Sequence, residues 1–288
     1  MKKKLLTILI ATIFTIALCA SLVACDKTQD GVNYALDNDF VVKTTDGDDA
    51  LVFQPVKNVD ASGNGTDVPC SYGVIFYVGM GVEPVKYQYL ASALAKQGYL
   101  VVIPKIANNL AYSNYTATEK AFENYPNVRF FVAGHSHEGG ASAIRRASEN
   151  ASAVAGAILL APVGNRHKKL DENGNPETDE NGVEIYVSDT LVDTNLPALL
   201  VEADNDRVRT DEQVEDARAR LCDGYVARVV QNANHTAFAQ IDVEDDLPIK
   251  FLPNLSQDVN ATTIEQKQAQ RTSTCDIVLA FLRSVVLG

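Results

Sequence analysis

The sequence predicts an α/β domain in which a mainly parallel sheet is covered by helices on both faces. Length is the first observation behind this. Once a leader is set aside, about 260 of the 288 residues remain, which suits one large domain. The second is that apolar runs of strand length alternate with helical patterns along the chain. The third is FVAGHSHEGGAS at residues 131–142, where a glycine-flanked serine ends an apolar run and opens a helical pattern.

The leader comes first. Lys2, Lys3 and Lys4 precede an apolar stretch over residues 5–18, the charged head and apolar middle of a secretory signal, too short for a good membrane span. LVAC, from Leu22 to Cys25, places small residues before a cysteine and resembles the lipobox at which bacterial lipoproteins are cut and lipidated. Cys19 competes poorly because bulky Leu18 precedes it. The expectation is that residues 1–24 are removed, Cys25 carries lipid, residues 25–33 are a polar tether and residues 34–288 fold. The chain would then sit on the extracytoplasmic face of the cell membrane, anchored without spanning it.

Loss of the three leader lysines leaves 22 basic residues against 37 acidic ones, a formal charge of −15. That charge excludes nucleic acid as a natural partner. Cys70, Cys222 and Cys275 remain in the folded part, an odd number with no CxxC or Cys/His ligand spacing, so no structural zinc site is expected.

The strand-length runs are FVVKTT, ALVFQPV, YGVIFYVG, YLVVIPK, NVRFFVAG, AVAGAILLAPV, PALLVEA and YVARVVQ. Between them, Leu90 and Leu94 stand one helical turn apart and Gly98 is placed to end their helix. Thr116 to Glu119 and Thr210 to Gln213 each have capping-box spacing, and a final helix is expected from about Thr263 to Val286. One segment breaks the rhythm. Residues 165–190, NRHKKLDENGNPETDENGVEIYVSDT, repeat DENG at Asp171 and Asp179, and the two Asn-Gly steps predict a protruding hairpin insertion. Asp171, Asn173 and Asn175 alternate as calcium ligands do. Pro176, however, falls where such a loop needs glycine, and no glutamate follows at its twelfth position.

A serine hydroxyl becomes a nucleophile when a histidine takes its proton, a carboxylate orients that histidine, and backbone N–H groups receive the developing oxyanion. Ser136 has the strand–turn–helix setting for this role. Past the FVAGHSHEGGAS stretch the histidines are His167, among lysines in the insertion, and His235, in the loop NANHTAF after a strand, which makes His235 the candidate base. Asp204 and Asp206 both follow the strand PALLVEA and are both candidate acids.

These segments together, from about Tyr72 to the C-terminus, resemble the α/β-hydrolase fold superfamily and are most similar to dienelactone-hydrolase-like bacterial serine hydrolases. The resemblance implies Ser136 as nucleophile, Asp206 as acid and His235 as base. It further implies an oxyanion hole built from backbone N–H groups of His137, Gly79 and Met80, with no metal or organic cofactor. Glu138 departs from the pattern, because G-x-S-x-G has glycine there. Either Gly139 and Gly140 supply the close approach while Glu138 points outward or pairs with a donor such as His137, or the turn is distorted and the protein only binds. The expected function is a lipid-anchored serine hydrolase acting on a small-molecule carboxylic ester. A non-catalytic ligand-binding lipoprotein and a peptidase or amidase are the alternatives, and the insertion is expected to shape selectivity.

Overall fold

The computed structural model describes residues 40–288 apart from 62–64, 170 and 248–252. The leader, Cys25 and the tether lie outside the described residues.

Eight strands form the main sheet: β1 (Val41–Asp46), β2 (Ala50–Lys57), β3 (Tyr72–Tyr77), β4 (Leu100–Pro104), β5 (Arg129–His135), β6 (Gly156–Leu160), β7 (Ala198–Ala203) and β8 (Val226–Val230). Their order across the sheet is β1-β2-β4-β3-β5-β6-β7-β8, with the two-residue strand Thr66–Asp67 added on β2. β2 runs antiparallel to both β1 and β4, and every pairing from β4 to β8 is parallel. β4, β6 and β7 are buried at every residue, whereas the edge strands β1 and β8 are mostly exposed. Burial on both faces explains why the central runs read as continuously apolar rather than alternating. Each Val, Ile, Leu or Phe so buried contributes about 1.5–3 kcal/mol relative to exposure.

The described residues include six α-helices: α1 (Gln88–Lys96), α2 (Glu119–Asn124), α3 (Ser136–Glu149), α4 (Asp211–Ala219), α5 (Pro253–Asn260) and α6 (Ile264–Leu287). Successive strand residues point to opposite faces, so β5 shows Val132 to one layer and Phe131 to the other. Val132 joins Ala143, Ile144 and Ala147 of α3 in one core cluster. Phe131 meets Phe281 of α6 with ring centroids 6.1 Å apart. Leu90 and Leu94 are both buried in α1, and Gly98 follows at φ +89°, a conformation glycine adopts without a Cβ penalty.

The capping boxes at Thr210 and Thr263 are formed. In each, the threonine hydroxyl accepts from the N–H three residues on and the glutamine side chain accepts from the threonine N–H. The box expected at Thr116 is not. Residues Ala111–Thr118 wind as a 3₁₀ segment broken at Asn114 (φ −145°, ψ 52°), and the Thr116 hydroxyl donates to the Asn114 side chain instead. α5, between the histidine loop and α6, was not foreseen in the sequence pattern.

The insertion forms the expected hairpin. Arg166–Lys168 pair antiparallel with Tyr186–Ser188. Both DENG copies build the same turn: Asp171 Oδ1 accepts from the N–H groups of Asn173 and Asn175, and Asp179 Oδ1 from those of Asn181 and Val183. Gly174 and Gly182 close the turns at φ +81° and +78°. Alternating aspartate and asparagine thus serve the backbone turns. Cys70, Cys222 and Cys275 are free thiols.

Candidate active site

β3, β5, β7 and β8 deliver their following loops to one edge of the sheet, the carboxyl edge at which ligands of open parallel sheets bind. β5 ends at His135, and Ser136 begins α3 at φ +62°. A non-glycine residue in that conformation costs on the order of 1–3 kcal/mol and persists only where its surroundings hold it. Glycines around it make the turn possible. A Cβ on Gly134 would run into the Gly139 carbonyl, and one on Gly139 into the Tyr77 carbonyl. A Cβ on Gly140 would lie 2.8 Å from Cβ of Pro162.

Glu138 does not point outward. It is 9% exposed, and its Oε2 accepts from the Tyr112 N–H at 2.8 Å, while Oε1 stands 3.7 Å from His137 Nδ1. Its carboxylate is thereby directed to the 3₁₀ segment beside α3, and Gly139 and Gly140 make the close approach.

Ser136 Oγ lies 2.7 Å from His235 Nε2, and His235 Nδ1 lies 2.9 Å from Asp206 Oδ2. Asp206 Oδ1 accepts from the N–H groups of Val208 and Arg209 at 2.9 and 3.1 Å. Arg209 Nε donates to Asp206 Oδ2 at 2.7 Å, and its Nη1 to the Pro162 carbonyl at 3.2 Å. Burial works to raise the Asp206 carboxyl. The His235 imidazole and the Arg209 guanidinium outweigh it and hold the group well below the usual carboxylate range. Asp204 instead accepts from the Ala233 N–H at 3.0 Å, so the carboxylate on His235 is Asp206. His167 is remote from this group; its Nδ1 stands 2.9 Å from Asp189 Oδ1 at the root of the hairpin.

Met80 and His137 line the cavity beside Ser136, and a first-turn N–H such as that of His137 has no intrahelical acceptor. Gly79 departs from expectation. Its N–H donates to Tyr87 Oη at 2.9 Å, which takes it away from an oxyanion, so of the two residues expected from that turn Met80 alone remains a candidate.

Arg209, Tyr87 and His135 were not singled out in the sequence. His135 Nε2 faces the His235 carbonyl at 3.2 Å, and a carbonyl only accepts, so Nε2 carries the proton. Nδ1 is then the acceptor for the Tyr87 hydroxyl at 2.9 Å. A buried chain of donors thus runs from Gly79 through Tyr87 and His135 to the backbone of His235. The identity of His135 was visible next to the serine, but nothing in its spacing signals that its partner is a tyrosine one helix away.

The cavity measures about 180 Å³ and is walled mainly by Met80, Val82, Val163, Ile241, Leu247 and Leu255. A more open, polar groove adjoins it through His137, Val163 and Gln213 and reaches Asn165 and Arg166 at the root of the hairpin.

The sequence model of the alpha/beta hydrolase family matches residues 73–177. Together with the strand order and the single antiparallel β2, this decides the architecture. The chain has the α/β-hydrolase fold. No curated protein matches its sequence. Similar solved structures include a CIB-like hydrolase from Thermoplasma acidophilum, 14% identical with a TM-score of 0.46, covering 83% of this chain and 97% of that one. The esterase domain of a Rhodothermus marinus protein is 15% identical, TM-score 0.47, with coverages of 80% and 98%. A Paleococcus ferrophilus monoacylglycerol lipase is 13% identical, TM-score 0.47, with coverages of 73% and 97%. In this α/β-hydrolase fold the three groups expected to act together are brought within hydrogen-bond reach.

Burial, reinforced by the neighbouring His235, holds the His135 imidazole well below its ordinary value of 6.5. The folded chain therefore refuses a proton that the unfolded chain binds below about pH 6.5. Stability is full above that value and falls as pH drops, by up to about 1.4 kcal/mol per pH unit from this group. Urea unfolding of the wild type and of His135→Gln between about pH 7 and pH 5 checks this. The difference between their slopes is expected to carry the His135 contribution, and equal slopes would refute it.

Proposed function

We propose that this protein is a serine hydrolase that cleaves a carboxylic ester through an acyl-Ser136 intermediate. The observation that carries this reading is the Ser136–His235–Asp206 chain, with contacts of 2.7 and 2.9 Å, at the wall of an apolar cavity. Ser136 Oγ attacks the ester carbonyl carbon while His235 Nε2 takes its proton. The carbonyl oxygen becomes an oxyanion received by the N–H groups of His137 and Met80. On collapse the C–O bond to the alcohol breaks, and His235 returns its proton to the leaving oxygen. Water then attacks the acyl-serine by the same route, giving the acid and free Ser136. Asp206, kept ionised by Arg209, holds His235 with its Nδ1 proton inward and stabilises the imidazolium.

Cavity size bears on the substrate. About 180 Å³ is close to a volume of about 150 Å³ that takes a benzene molecule, so a small apolar group of the ester would fit there. The open groove would take the polar remainder. A peptidase or amidase would use the same three groups, since the fold does not choose between leaving groups.

Ser136→Ala and His235→Ala are expected to abolish turnover of a short activated ester, and Ser136→Ala to abolish fluorophosphonate labelling. Asp206→Asn is expected to lower kcat by about 10⁴-fold. Labelling of Ser136→Ala equal to the wild type would overturn the nucleophile, and a harmless Asp206→Asn would overturn the acid.

The hairpin root meets the groove, so replacing residues 168–186 with a Gly/Ser linker is expected to preserve labelling while altering relative rates across a panel of esters. An unchanged ranking in a folded, labelled variant would make the insertion idle.

We also propose lipid anchoring at Cys25, which rests on LVAC following the lysine head and apolar stretch of the leader. Expressed in a bacterial host, the protein should fractionate with membranes, and Cys25→Ala should release it. A mature, unlipidated N-terminus at another residue would remove the anchor.

A further inference from the structure

α5 carries a carboxylate that the reaction as described does not use. Asp258 is fully buried. Its Oδ1 accepts from the backbone N–H of His235 at 3.1 Å and from that of Arg207 at 3.3 Å. Its Oδ2 accepts from the N–H and the hydroxyl of Thr236 at 2.8 and 2.7 Å. Arg207 adjoins Asp206, so one carboxylate joins the loop bearing the acid to the loop bearing the base.

The choice of side chain follows from the donors. Four converge on two oxygens, and only a group that accepts at every site satisfies them all. Asparagine in the same place would set its NH₂ against either the Thr236 or the His235 and Arg207 donors. Glutamate would add a methylene to a closed interior. The segment is tied down again from the other side, because Asn234 donates its side-chain N–H to the Asp258 backbone carbonyl and to Thr262 Oγ1. The buried Lys267, on the carbonyls of Ile241 and Asp242, supplies a counter-charge nearby.

We infer that Asp258 is a positioning residue for the triad, one that fixes the His235 peptide and the Asp206 loop relative to each other so that Nε2 meets Ser136. This rests on the serine-hydrolase reading and adds to it a group that touches neither substrate nor reacting atoms. His235 is then held at both ends of its residue, its N–H by Asp258 and its carbonyl by His135. A displacement of about 1 Å at a reacting group costs about 10²-fold in rate, so the effect should fall on kcat.

The test uses the whole chain, a short activated ester and a fluorophosphonate. Asp258→Asn is expected to lower kcat about 10²-fold with KM little changed. It should slow labelling of Ser136 in parallel and shift the low-field proton resonance of His235 Nδ1–H, with the variant still folded by circular dichroism. Thr236→Val, which removes one donor, should lower kcat about tenfold, and Thr236→Ser, which keeps the hydroxyl, should recover it. A folded Asp258→Asn with wild-type kcat and an unmoved resonance would overturn the inference, as would a loss that tracks only the unfolded fraction. If Asp258→Asn does not fold, the Thr236 pair decides: equal activities for valine and serine overturn it. Failure of the hydrolase reading is distinguishable, because the wild type would then show no Ser136-dependent turnover or fluorophosphonate labelling, whereas failure of the positioning role leaves the dependence on Ser136 intact.

Discussion

Ser136 at φ +62° is the constraint on which the rest of the site depends. A strand feeding directly into a helix presents its last side chain along the sheet edge only if the junction residue takes a left-handed backbone, and a residue with a Cβ resists that. The opposing energy comes from packing. β5 is buried from Phe130 to His135 and α3 lies against it; Gly134 lets α3 approach β5, Gly139 lets it approach the end of β3, and Gly140 lets it approach Pro162, each closer than a Cβ would permit. Once the turn is fixed, the position of Oγ is fixed, and so is the place where a base must arrive.

That arrival is arranged by charges as much as by shape. His235 and Asp206 stand just past the ends of neighbouring strands β8 and β7, but on connecting loops rather than on the strands themselves. Surface connections are ordinarily more mobile than the elements they join. Here the Asp206 carboxylate takes two backbone donors and the Arg209 guanidinium besides His235, and His235 is gripped through its peptide. Arg209 also contributes to the electrostatics. Desolvation alone would drive the Asp206 carboxylate toward protonation, and His235, with the permanently charged Arg209 guanidinium beside it, outweighs that.

Much of this was legible in the sequence, because it is written in local patterns. Continuous apolar runs such as ALLVEA gave a buried parallel sheet, Thr210 followed by Gln213 gave the start of α4, and the Asn-Gly steps gave both turns of the hairpin. The thread Ser136, Asp206, His235 could be followed because each stands just past a strand. What was missed depends on partners distant in the chain. Tyr87 and His135 are 48 residues apart, and Asp258 and His235 are 23 apart. Gly79 was misread for the same reason, since its N–H is claimed by a hydroxyl that no turn pattern reveals. At Thr116 a correct capping spacing lost to Asn114, whose backbone leaves the helical region just before it.

Glu138 bears on whether the elbow works. A distorted turn would follow if its side chain had to occupy the space reserved for the close approach of α3 to β3. It does not, because Gly139 is the residue that meets the Tyr77 carbonyl, one position later than the pattern suggests. The carboxylate turns the other way and takes the Tyr112 N–H, while the Tyr112 hydroxyl donates to Asp189 at 2.8 Å and Asp189 stands against His167. A side chain out of place in the motif therefore ties the elbow, through one tyrosine, to the root of the hairpin. Glycine at that position would free the Tyr112 N–H and uncouple the two. The departure is better understood as a brace for this chain's own insertion than as a distortion of the turn, since Ser136 still stands within hydrogen-bond reach of His235.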